Sequence, residues 1–84
     1  MKNSVFEVLK AASQRLSIAH IDNPRLDAEI LLAHVLNCRR LTLYIDSDKK
    51  LQLETVFRFN QLINQRLKGV PVAYLINSKD FMVL

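Results

Sequence analysis

Two carboxylates set two residues apart, Asp27 and Glu29, are the first candidates for acid–base chemistry in this 84-residue chain. On a helix that spacing turns them about 160° from each other, so they cannot close on one substrate from the same element. Their plainer use is structural. Arg66 falls inside an apolar sector, between Phe59 and Leu62 on a helical wheel, where a guanidinium must snorkel to water or find a carboxylate. Asp27 or Glu29 supplies the acid for that ion pair. Soft metal ligands are few: His20, His34 and Cys38. His34 and Cys38 stand at i, i+4, but two ligands do not close a zinc site. Cys38 is the one cysteine, so no intrachain disulfide forms, and it reads as a packing residue in a reducing compartment, the cytoplasm. A single Gly excludes the loops that cradle phosphates or dinucleotides, which need several. No spacing of Ser, His and Asp picks out a triad. The residues nominate no catalytic, cofactor-binding or metal-binding position.

Binding is a different matter. The formal net charge is +4, with Arg39-Arg40 and Lys49-Lys50 as the basic pairs. Such a surplus suits either nucleic acid or an acidic protein surface. Arg58, Gln61, Gln65 and Lys68 share one polar helix face, and cations with amides are what base-edge recognition uses. The same face is equally what a solvated helix presents. Arg39, Arg40, Arg58 and Lys68 are therefore the candidate partner-binding cations, with a stand-alone helical nucleic-acid-binding module as the alternative reading.

The elements that must hold these groups are helical. Half the residues are apolar, and Gly and Pro are scarce, a mix that favours helix over strand. Ser4 and Glu7 have the spacing of a capping box, and Val5, Val8, Leu9, Ala12 and Leu16 then form one stripe. The pattern predicts a surface helix from Ser4 to Leu16 or slightly beyond. Asn23-Pro24 opens a second helix, Asn as N-cap and Pro at the first helical position. From Leu26 to Leu36 it is apolar nearly all round, which predicts a central helix enclosed by the others and ending near Asn37. Leu41–Ile45 reads as a short third helix, since no second strand exists to pair with it, and Asp46–Lys50 as a solvated loop. A fourth helix is predicted from about Leu53 to Leu67, burying Val56, Phe59, Leu62, Ile63 and Leu67 and stopping at Gly69. Pro71 starts a last turn through Leu75. The expected fold is all-α: a small monomeric bundle of four to five helices around a central apolar helix, over residues 3–76. The longest apolar stretch, Ile30–Leu36, is far short of a membrane span, and no leader-like run opens the chain.

From Pro24 to Leu36 the sequence PRLDAEILLAHVL resembles the amino-terminal domain of the HemK/PrmC family, the protein-glutamine N5-methyltransferases of peptide chain release factors. The similarity continues through Leu51, Glu54, Arg66, Gly69, Pro71, Ala73-Tyr74-Leu75 and Phe81. Val70 stands where the family usually has Glu, and Gln52 where a Ser or Thr would cap the fourth helix. The resemblance implies a helical substrate-recognition domain over residues 3–76, with 77–84 starting a linker toward a separate catalytic domain. It implies S-adenosylmethionine for the full-length parent and none for this segment. The family's Asn-Pro-Pro-Tyr motif does not occur here, so no catalytic residue carries over. What carries over is an expected role: docking the release factor.

Overall fold

A computed structural model describes residues 3–76. These residues include four named helices, α1 (Val5–Ile18), α2 (Pro24–Leu36), α3 (Arg40–Ile45) and α4 (Leu53–Leu67). A further helical turn follows over 72–76. The architecture is all-α, and among the described residues the β geometry is confined to an isolated bridge between Ser4 and Lys50. The stretch 77–84, read above as the start of a linker, lies outside the described residues.

Packing follows the apolar pattern. α1 buries Val5, Val8, Leu9, Ala12 and Leu16, the stripe read from the sequence. α2 packs against α1, α3 and α4 and buries Ala28, Leu31, Leu32 and Ala33, together with the charged Glu29. α4 completes the core with Phe59 and Ile63, while Val56, Leu62 and Leu67 are only partly covered. The buried face of α4 is narrower than expected because it meets the bundle from one side only.

The helix ends explain the chain's limited use of glycine. Beyond α1, His20 has φ 64°, and the His20 and Ile21 amides donate to the Ser17 and Leu16 carbonyls. Beyond α2, Asn37 has φ 57°, with Asn37 and Cys38 donating to His34 and Ala33. Beyond α4, Gly69 has φ 101°, with Gly69 and Val70 donating to Arg66 and Gln65. Each is a Schellman turn, which satisfies carbonyls that the helix leaves open. Asn enters the left-handed region at small cost and Gly at none, so His20 is the strained member.

Two expectations change at the other ends. The Ser4 hydroxyl accepts the Glu7 amide at 3.2 Å, as a cap should, but Asn23 makes no side-chain cap bond to α2. The segment read as a solvated loop folds back on α1. The Val5 and Phe6 amides donate to the Lys49 and Ser47 carbonyls at 2.9 and 3.0 Å, and the Leu51 amide donates to the Asn3 carbonyl at 2.8 Å. Orphan amides of α1 are thus satisfied by the α3–α4 connection, and Leu51 is drawn into the core.

The buried and exposed sides of α4 offer a direct check. Ile63→Val should lower the stability of the chain by about 1 kcal/mol, whereas Phe57→Ala, on the exposed side, should stay within about 0.5 kcal/mol. Urea melts followed by circular dichroism measure both. Equal losses would mean that Phe57 is packed.

Candidate functional site

Asp27 and Glu29 leave α2 in different directions and take different partners. Arg66 of α4 donates from Nε to Asp27 Oδ2 at 3.0 Å, and from Nη1 to the Val70 carbonyl at 3.4 Å. Both side chains of this pair are largely covered, Arg66 at 21% and Asp27 at 14% exposure. The bond joins α2 to α4 and also anchors the turn that ends α4.

Glu29 is 1% exposed and lies between α2 and α3. Arg25, one turn earlier on α2, donates from Nε to Oε2 at 2.8 Å. Arg40, the first residue of α3, donates from Nε and Nη2 to Oε1 at 3.2 and 3.0 Å. The Tyr44 hydroxyl donates to Oε2. Burial pushes the Glu29 carboxyl up, but hydrogen bonds from Tyr44, Arg25 and Arg40 outweigh it and hold the group below its ordinary value. The hydrogen bonds that Arg40 donates to Glu29 in turn raise its guanidinium. A carboxylate with these donors is saturated as an acceptor, and its chemistry is to hold α3 in place. An open cleft of about 380 Å³ lies over the cluster, lined by Asn23, Pro24, Arg25, Leu26, Arg40 and Tyr44 among others.

The four candidate binding cations fall on two elements. Arg39 precedes α3 in extended backbone (φ −84°, ψ 155°) and is exposed. Arg40 is half exposed, at 48%, but its guanidinium is tied to Glu29. Arg58 and Lys68 are exposed on α4, Lys68 at its end, where a cation also favours the helix dipole. Beside Lys68 runs a groove of about 450 Å³ lined by Gln61, Leu62, Asn64 and Gln65. Arg15 of α1 borders it, donating from Nη2 to Asn64 Oδ1 at 2.6 Å. Tyr44 was not among the sequence candidates, and its place at Glu29 is set by the fold of α3. Leu53 and Phe57, exposed at 73% and 61%, were likewise missed as surface features, although the wheel that selects Phe59 and Ile63 as core directs both outward.

Metal and membrane chemistry have simple readings. Among the described residues, no group of three or more His, Cys, Asp or Glu side chains is placed to hold a metal ion. No helix among them is long and apolar enough to cross a membrane.

The Glu29 cluster should give the fold a measurable acid dependence. Its stabilising effect is fully present above the ordinary glutamate value, about 4.3. It is lost as pH falls through the lower value of the folded state. At neutral pH, Glu29→Gln should cost about 1–2 kcal/mol, since Arg25 and Arg40 remain half solvated. The gap between variant and parent should close on acidification, and a pH-independent gap in urea melts would contradict the assignment. For the second pair, Arg66→Ala should cost about 2 kcal/mol, against less than about 0.5 kcal/mol for Arg58→Ala. Equal losses would show that Arg66 is simply solvated.

Comparison with known proteins places this geometry. A family model described as the PrmC N-terminal domain matches residues 7–76. A release factor glutamine methyltransferase from Buchnera aphidicola is 43% identical over 76 residues, covering 90% of this chain and 27% of the relative. Proteins of the same name from Chlorobaculum tepidum and Nitratidesulfovibrio vulgaris are 41% and 38% identical, over 93% and 88% of this chain and 26% and 25% of their own lengths. The chain thus spans about a quarter of the length of these relatives. No solved structure gives a significant match.

Proposed function

The chain belongs to the PrmC N-terminal domain family, and from that premise we propose that it is the substrate-docking domain of a release factor glutamine methyltransferase. In this reading the whole enzyme transfers a methyl group from S-adenosylmethionine to a glutamine of a peptide chain release factor. The cofactor and the reacting groups belong to a catalytic domain joined to this one, and the helical domain works as a monomeric unit beside it. The observation that carries the reading is the extent of the family match, residues 7–76, which is the helical bundle itself.

The physical need for such a domain follows from the substrate. A release factor is a large protein, and one glutamine side chain must meet the methyl donor in line. Contacts made far from that glutamine restrict the approach before reaction, which removes part of the entropic barrier. The chain's surplus of +4 steers association toward an acidic surface. Arg58 and Lys68, exposed on α4, are the proposed contact cations, and Arg39, exposed before α3, is assigned no contact. Arg40 is assigned to Glu29 and to the fold.

Removing residues up to Leu75 from the full-length enzyme tests the reading. Methylation of the whole release factor should fall about tenfold or more in kcat/KM, the size of effect that lost interface anchors produce. Methylation of a short glutamine peptide should be unchanged. Equal activity on both substrates, with and without the domain, would contradict docking.

A further inference from the structure

We infer that the outward face of α4 is the surface that meets the substrate protein, and that it receives an acidic segment bearing an exposed apolar side chain. The inference rests on the docking reading above and adds the surface and the chemistry of its partner.

Leu53, Phe57, Gln61, Asn64 and Lys68 follow one another at spacings of four, four, three and four, which places them in a single row on a helix. All five are exposed, and the row lies roughly opposite the buried Phe59 and Ile63. Among the described residues, the core does not include Leu53 and Phe57, exposed at 73% and 61%. A lone apolar side chain at a surface is ordinary. Two large ones at i, i+4 over the first turns of a helix's outward face form the anchor pattern by which helix faces are recognised. Along the row the character then changes. Past Phe57 it is amide and cation, bordered by the 450 Å³ groove and by Arg15 bonded to Asn64.

Charge selects the partner. On α4 the row ends in Lys68 and has Arg58 and Glu54 on the same exposed side, and Arg15 reaches it from α1. A partner that fits puts an apolar side chain against Leu53 and Phe57 and carboxylates beside Lys68 and Arg15, which fixes its direction along α4. A nucleic-acid backbone would need cations along the whole row and would leave the apolar end unmatched. The other exposed apolar group, Leu41, Tyr44 and Ile45 on α3, has its neighbouring cation Arg40 bound to Glu29, and it serves as the control face.

The test uses the full-length enzyme with Leu53→Gln/Phe57→Gln, with Lys68→Glu, and with the control Leu41→Gln. Gln keeps the helix and removes the apolar anchor, and circular dichroism verifies that helicity is retained. The first two changes should each raise KM for the whole release factor about tenfold, with kcat unchanged and a short glutamine peptide methylated as before. Leu41→Gln should change neither value. Unchanged KM in both α4 variants, while removal of residues up to Leu75 still impairs the whole factor, would leave docking intact and overturn this surface. If that removal is neutral as well, the docking reading fails and the surface with it. An equal loss on the short peptide would mean that α4 packs on the enzyme's own catalytic domain, which also overturns the inference. So would a duplex oligonucleotide that competes as strongly as the release factor.

Discussion

A buried carboxylate at the seam between α2 and α3 is the constraint around which the rest is arranged. Glu29 belongs to α2, the helix that touches all the others, and it is 1% exposed. A buried charge persists only where donors replace the water it has lost. Those donors come from Arg25 on the same helix and from Arg40 and Tyr44 on α3. α3 has six residues, too few to persist as an isolated helix, and is held largely by this cluster and by the burial of Leu43. Asp27, on another side of α2, takes Arg66 from α4. The two acids that cannot cooperate on a substrate therefore organise two neighbouring helices.

Much of this order is legible in the sequence, and the exceptions have physical causes. Local rules suffice for Pro24 at the start of α2, for Gly69 beyond α4, and for the apolar stripe of α1. The similarity over Pro24–Leu36 also points to the family that the match over residues 7–76 establishes. Tyr44 at Glu29 is not local: it joins residues 15 apart through the angle between α2 and α3. The pairing of the Lys49 and Ser47 carbonyls with the first amides of α1 is likewise a tertiary event, so the loop looks merely polar in one dimension. His20 in the left-handed region is hidden because residue preference favours Gly or Asn there.

The candidate site was legible in part. Composition identifies Arg58 and Lys68 as cations on a polar face, and the structure keeps both exposed. Composition cannot separate Arg39 from Arg40, adjacent and alike, yet Arg40 reaches a buried acid and Arg39 does not. The significance of Leu53 and Phe57 depends on knowing that both stay exposed among the described residues. Inward, α4 is tied by Phe59, Ile63 and Arg66. Outward, it carries a row with an apolar end and a basic end. A rigid helix with one committed side and one free side is suited to holding a large partner in register.

The central claim is that this free side of α4 is where the release factor binds. Amide hydrogen exchange on the full-length enzyme, alone and with the release factor, tests it most directly. The account predicts slower exchange across residues 53–68 in the complex and no change across residues 40–45. Protection confined to 40–45, or none in either segment at saturating release factor, would contradict it.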